Sequence, residues 1–103
     1  MFLKKDSYIF PAILSFDEDG ISVEFPDLPG CLTYGDSTEQ AISRAKEALG
    51  LHLYGMEEDN EFIPEPTDIK NLYLDKGQIP MLIDVIMPIY RKAIENNIVK
   101  KLL

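Results

Sequence analysis

The stretch from Val23 to Asp36 constrains the fold of this chain more than any other part of the sequence. It begins with alternating apolar and polar residues, the pattern of a strand that has one buried face. Proline presets φ at the first central position of a turn, and glycine accepts the positive φ that a type II turn requires at the second. Pro29-Gly30 therefore predicts a tight turn into a short strand from Cys31 to Tyr34. Gly35-Asp36 predicts the stop that leads into a helix.

Two further strands are predicted around the start of this stretch. Residues 7–16 place apolar side chains at period two on one face, with Ile9, Pro11 and Ile13 on the other face. Proline inside a strand favours an edge position or a bulge, so we expect one of these at Pro11. A glycine-terminated polar turn and a second alternating run then predict a hairpin, which grows into a three-stranded antiparallel meander.

A helix is predicted after the meander. Ser37 and Gln40 have the spacing of a capping box, and apolar residues then recur at helical spacing. We expect this helix to run from about residue 38 to about residue 54 and to end at Gly55, because glycine is favoured just past a helix C-terminus. Gly50 inside the helix costs about 1 kcal/mol relative to alanine, which indicates close packing there.

The rest of the chain predicts an exposed connection, one more strand and a short helix. Residues 56–78 are polar and acidic, and they are interrupted by proline and glycine. Residues 81–86 form the most apolar run and predict an interior strand, while Pro88 suits the first turn of a short helix. The fold class is therefore α+β, with meander, helix, fourth strand and C-terminal helix in that order.

The length of the chain predicts one domain, and its charge predicts an acidic surface. The 103 residues carry a net charge of −8, and between residues 17 and 68 fourteen acids stand against two basic residues, a net charge of −12. Such a surface repels nucleic-acid phosphates and favours a basic partner. No apolar run approaches the roughly 20 residues of a membrane helix, so we expect no membrane contact and a cytoplasmic location.

One cysteine and one histidine leave little for metal or redox chemistry. Cys31 has no second cysteine with which to form a disulfide, and its expected role is that of a small buried side chain. We therefore predict no cofactor, no metal site and no catalytic residue.

These residues resemble the N-terminal domain of HicB-type antitoxins. The resemblance covers about residues 8–101, and its most specific part is Phe25 to Cys31 followed by Gly35-Asp36. The other matching segments are Tyr8 to Ala12, Asp17 to Gly20, Thr33, Ala45 to Leu49, Ile63 to Pro66 and Tyr90-Arg91. The resemblance implies a degenerate ribonuclease-H-like fold and the role of antitoxin in a type II toxin–antitoxin pair. The implied partner is a HicA-like toxin, a small mRNA endonuclease that the antitoxin blocks by direct binding.

Ribonuclease activity is not predicted from this resemblance. A two-metal nuclease needs several carboxylates that converge on its metal ions, and residues 8–16 contain none. Asp84 on the fourth strand is a lone carboxylate, so we predict that the protein is not an enzyme.

Many HicB antitoxins carry a C-terminal module that binds operator DNA. We expect a HicB-like domain over residues 1–97 and a tail over 98–103 that is the possible start of such a module. Whether the chain is naturally short or a fragment stays open, and DNA binding is doubtful without the module. We also expect a homo-oligomer, partly by analogy with the family and partly because apolar residues need cover, namely Ile9 and Ile13 on the second face of the first strand and those in the C-terminal segment.

The predicted toxin contacts are Asp27, Thr33, Asp36, Glu57, Glu58 and Asp59. An acidic surface suits a basic RNA-cleaving partner because complementary potentials speed association. Structural roles in the turn and strand are assigned to Pro29, Gly30, Cys31 and Gly35. The alternative function is a stand-alone HicB-like oligomeric scaffold or ligand-binding module that has no toxin.

Overall fold

A computed structural model describes residues 4–96 of the chain. In chain order the elements are β1 (Ser7–Asp17), β2 (Gly20–Glu24), β3 (Leu32–Gly35), α1 (Thr38–Glu58), a short 3-10 helix (Ile69–Asn71), β4 (Gln78–Ile86) and α2 (Met87–Glu95). This order confirms the predicted α+β arrangement of meander, helix, fourth strand and C-terminal helix. The predicted tail at residues 98–103 lies outside the described residues.

The four strands form one antiparallel sheet in the order β3-β2-β1-β4. β1 is an interior strand, and its register with β4 continues without interruption over nine residue pairs. The predicted bulge at Pro11 is therefore wrong, but the predicted edge position is confirmed locally, because β1 pairs with β4 alone at Pro11. Proline is tolerated there because the pairing of β1 with β2 starts only at Ile13, so the missing N–H removes no bond between those two strands.

β4 lies at an edge of the sheet, so the predicted interior position of residues 81–86 is also wrong. Ile83 and Val85 are buried in the core on one face of β4, whereas Leu82 and Ile86 on the other face are exposed. The strand is apolar on both faces although one face remains open to solvent. Periodicity alone does not separate such a strand from an interior one.

Both α-helices pack on the same face of the sheet. The buried stripe of α1 consists of Ala41, Ala45, Leu49 and Leu53, and it joins the strand side chains in one core cluster. Burial of each leucine contributes about 1.5–3 kcal/mol to folding. Gly50 allows α2 to approach α1, because a Cβ atom at this position would lie 2.7 Å from the ring of Tyr90. The predicted close packing at Gly50 is confirmed.

A capping box begins α1, as predicted. The Ser37 hydroxyl accepts a hydrogen bond from the backbone N–H of Gln40 at 3.1 Å. The side chain of Gln40 in turn accepts one from the N–H of Asp36 at 2.6 Å. Two backbone donors at the start of the helix are satisfied in this way.

The C-terminal end of α1 lies one turn beyond the predicted stop. Gly55 is inside the helix, which continues to Glu58 with Asp59 as its C-cap. Asn60 follows with a φ of 54°, and asparagine visits this left-handed conformation more readily than most residues. Asn60 rather than Gly55 therefore reverses the chain.

The tight turn at Pro29-Gly30 is confirmed. Gly30 has a φ of 90°, and the N–H of Cys31 donates to the carbonyl of Leu28 at 3.0 Å, which closes the turn. The Cys31 side chain is buried, and this burial raises the pKa of its thiol to about 11. Gly35 is also buried, and a side chain there would clash with the backbone of Ala41 in α1.

Candidate functional site

Asp27 holds the long connection between α1 and β4. Its two carboxylate oxygens accept hydrogen bonds from the Thr67 N–H at 2.8 Å and from the Thr67 hydroxyl at 2.5 Å. Both partners are half-buried. A carboxylate engaged by two donors on a neighbouring segment organises that segment, so the geometry gives Asp27 a structural role.

The connection crosses β1 on the face that α1 does not cover. Thr67 is bound to Asp27 beyond the end of β2, whereas the short 3-10 helix that follows lies next to β4, on the far side of β1. This path accounts for the burial of Pro11 and Ile13, which point away from α1. The expectation that Ile13 needs cover from another molecule is therefore wrong.

Glu57 is buried at the end of α1 and pairs with Arg91 of α2. The Arg91 Nε and Nη2 atoms donate to the two carboxylate oxygens at 3.0 and 2.7 Å, and Nη2 also donates to the Lys5 carbonyl at 2.6 Å. The hydrogen bonds that Arg91 donates to the Glu57 carboxylate raise the pKa of Arg91. These hydrogen bonds connect α1, α2 and the segment before β1. The Glu57 side chain is buried.

An exposed acidic segment follows Glu57. We define the acidic segment as residues 58–68; its acids, all exposed, are Glu58, Asp59, Glu61, Glu65 and Asp68. The sequence has no lysine or arginine between Lys46 and Lys70. Lys4 and Lys70 approach Glu58 and Asp68 only to 3.8 Å as exposed pairs, which neutralise little of the charge.

A cleft of about 450 Å³ lies between the N-terminal half of β1 and the acidic segment. Tyr8, Phe10 and Ile63 contribute apolar surface to it, while Glu61 and Glu65 bring acids to its lining. Glu61 and Glu65 contribute to the acidic charge of the sequence but are not among the predicted toxin contacts. Glu61 and Glu65 reach the cleft because the connection packs beside β1.

Thr33 and Asp36 lie apart from the acidic segment. Thr33 is half-buried on β3, and Asp36 is exposed just before α1. α1 has 21 residues, which at 1.5 Å per residue separates its ends by about 31 Å. The six predicted contacts therefore do not converge on one site.

Asp84 pairs with a lysine of α1. Its carboxylate lies 3.3 Å from Lys46 Nζ, and both side chains are exposed. Within residues 4–96, no group of three histidine, cysteine, aspartate or glutamate side chains is placed to hold a metal ion. In the same part of the chain, no helix has the length and apolar character needed to cross a bilayer.

A family model described as HicB-like antitoxin of bacterial toxin–antitoxin systems matches residues 10–100. Among curated proteins, antitoxin HicB 1 of Photorhabdus laumondii is 42% identical over 59 residues, which cover 57% of this chain and 38% of that protein. The chain thus spans less than half the length of this relative.

Two solved structures share the fold. A chain of a toxin–antitoxin complex from Streptococcus pneumoniae superimposes with a TM-score of 0.75 at 21% identity, covering 82% of this chain and 72% of that one. A chain of the HicA3 and HicB3 toxin–antitoxin complex gives a TM-score of 0.62 at 24% identity, covering 76% of this chain and 98% of that one. At these identities the likeness is one of fold.

Proposed function

Because this chain belongs to the HicB-like antitoxins of bacterial toxin–antitoxin systems, we propose that it neutralises a HicA-like toxin by binding it directly. The toxin is the small basic mRNA-cleaving protein that the family resemblance implies. Inhibition of this kind requires no catalysis by the present chain. Since mRNA is the toxin's target, the pair acts in the cytoplasm.

The observation that carries this proposal is the exposed acidic segment beside an apolar cleft. Five acids with no basic residue among them lie within residues 58–68, from the last residue of α1 into the connection that follows. A basic protein approaching this surface is steered by a complementary potential. The cleft then offers apolar area for contact once the charges have aligned the partners.

We assign the primary toxin contact to Glu58, Asp59, Glu61 and Glu65. Asp27 and Glu57 support this surface from within, because their carboxylates are held by Thr67 and Arg91. Thr33 and Asp36 are assigned to a secondary contact at the far end of α1. We further propose that the antitoxin is a homo-oligomer.

Co-purification with the product of the adjacent small gene tests the proposal. The expected result is a stable complex in which the toxin no longer cleaves RNA, and whose dissociation constant rises with salt because exposed charges contribute to binding. A complex that leaves cleavage intact, or no complex at all, would contradict the antitoxin role. The latter result would favour the stand-alone scaffold.

A further inference from the structure

One edge of the N-terminal half of β1 is not covered by a strand. β1 pairs with β4 along residues 7–15, whereas its pairing with β2 starts only at Ile13. In the part of the chain that the structure describes, no backbone hydrogen bond joins residues 7–11 to the connection that runs past them. We call this uncovered side of residues 7–11 the free edge.

The backbone groups on the free edge belong to the odd-numbered residues. The Phe16 N–H donates to the Gly77 carbonyl just before β4, at 3.0 Å, so even-numbered residues of β1 direct their N–H and C=O towards β4. Backbone groups of a strand alternate between its two edges. Ser7 and Ile9 therefore each direct an N–H and a C=O to the free edge. Pro11 has no N–H and directs only a C=O there.

The cleft of about 450 Å³ lies at the free edge rather than on one face of the sheet. Its lining includes both Tyr8 and Ile9, whose side chains point to opposite faces because neighbours in a strand alternate. The opposite wall contains Pro64 and Pro66, which have no N–H to donate to β1. The connection thus leaves space beside the free edge without pairing with it.

The charges around the cleft favour a basic occupant. Glu61 and Glu65 are exposed, and within residues 4–96 neither forms an ion pair. The lining also has two lysines, but Lys4 lies 3.8 Å from Glu58 and Lys5 lies over a tyrosine ring. A second copy of this chain has a net charge of −8 and is repelled by these acids, whereas a basic protein is attracted.

We infer that an extended segment of the basic toxin adds to the sheet at this point and pairs its backbone with the free edge of β1. In strand addition the main-chain hydrogen bonds give affinity and the side chains give selectivity. Basic side chains of the segment meet Glu61 and Glu65 across the cleft, and its apolar side chains meet Ile9, which is 53% exposed. This mode of binding rests on the proposed antitoxin function and specifies how the toxin is held.

Hydrogen exchange at individual amides of the chain, free and in complex with toxin, is the first test. In the free chain we expect the Phe10 amide, which pairs with β4, to exchange slowly and the Ile9 amide to exchange quickly. Toxin is expected to slow exchange at Ile9 by about 100-fold or more, because a ladder hydrogen bond must open before the amide exchanges. Exchange at Phe10 should change much less.

Ile9→Pro, with Ile9→Ala as its matched control, separates backbone pairing from side-chain contact. Both variants lose the isoleucine side chain, but only proline also removes the N–H from the free edge. The pairing with β4 does not use this N–H, and circular dichroism verifies that both variants are folded. The toxin dissociation constant is expected to be about tenfold or more higher for Ile9→Pro than for Ile9→Ala, since a toxin carbonyl is left buried and unpaired.

A toxin complex in which exchange at Ile9 is unchanged, or equal affinities of the two variants, would overturn this mode of binding and leave the antitoxin function intact. Slow exchange at Ile9 in the free chain that becomes slower with increasing chain concentration would assign the free edge to a second copy, which also overturns it. Absence of any complex with toxin would overturn the antitoxin function and the mode of binding together. If Ile9→Pro does not fold, exchange in the wild-type complex decides alone.

Discussion

Arg91 donates two hydrogen bonds to the Glu57 carboxylate, at 3.0 and 2.7 Å. The Glu57 side chain is only 3% exposed. The pair joins the end of α1 to α2, and Arg91 extends the link to the backbone before β1 through the Lys5 carbonyl. The acidic segment starts at the next residue after Glu57. The orientation of this proposed toxin surface therefore depends on an ion pair between α1 and α2.

Replacing Arg91 with methionine leaves the Glu57 carboxylate buried without its partner. We expect a loss of about 3–5 kcal/mol in the free energy of unfolding, the usual cost of breaking a buried ion pair. Urea denaturation measures this loss. Lys92→Met is the control, since Lys92 is exposed on the same helix. Equal stability of the two variants would show that the pair is dispensable.

Two glycines of α1 should respond to alanine in opposite directions. At Gly50 the added methyl group meets the Tyr90 ring at 2.7 Å, and overpacking of this kind costs about 1–3 kcal/mol. At Gly55 no atom lies within 4 Å, so the better helix propensity of alanine stabilises by about 1 kcal/mol. Thermal unfolding of both variants gives the comparison. Stabilisation by Gly50→Ala would contradict the described packing of α2.

Asp27→Ala should free the connection without unfolding the domain. Two hydrogen bonds to a carboxylate are lost, each worth about 1.5–3 kcal/mol. Hydrogen exchange at the Thr67 amide is expected to accelerate, while exchange in the β1–β2 ladder changes less. Asp36→Ala serves as the control because Asp36 is exposed before α1. An unchanged hydrogen-exchange rate at the Thr67 amide would contradict the hydrogen bonds described between Asp27 and Thr67.

The Cys31 thiol predicts a loss of stability at alkaline pH. Its pKa is raised by burial from 9.0 to about 11 in the folded chain. The unfolded thiol ionises first, so stability is constant below pH 9 and falls by about 2 kcal/mol as the pH rises towards 11. Denaturation midpoints across this range test the prediction. Cys31→Ala should remove that part of the decline, and an identical pH profile for both proteins would contradict it.

Reversing the charge of the acidic segment should weaken toxin binding. For Glu58→Lys with Asp59→Lys we expect the dissociation constant to rise about tenfold at low salt, mainly through slower association, and the difference to shrink as salt increases. Glu18→Lys is the control, because Glu18 is an exposed acid in the β1–β2 turn. Equal affinity of both variants would remove the acidic segment from the toxin contact.

Local chemistry determined the features that the sequence predicted correctly. Pro29-Gly30 specifies a turn, Ser37 with Gln40 specifies a helix start, and Gly50 indicates a close approach, because each depends on backbone geometry or on a spacing of a few residues. Gly55 misled because the last turn of α1 depends on packing beyond the helix.

Long-range partners explain what the sequence could not predict. Arg91 lies 34 positions after Glu57, and Thr67 lies 40 positions after Asp27. Asp27 and Glu57, which the sequence alone places on the surface, are therefore bound by partners distant in sequence, and no local pattern identifies such partners. The edge position of β4 likewise depends on which strands lie beside β1.

The register of β1 also affects how the protein is made. Residues 13–17 of β1 can pair with β2 once residue 24 has been synthesised, but the pairing of β1 with β4 must wait for Ile86, where β4 ends. At 5–20 residues per second, the ribosome needs about 3–12 s to add the intervening residues. Throughout this interval the nascent chain presents an unpaired apolar strand.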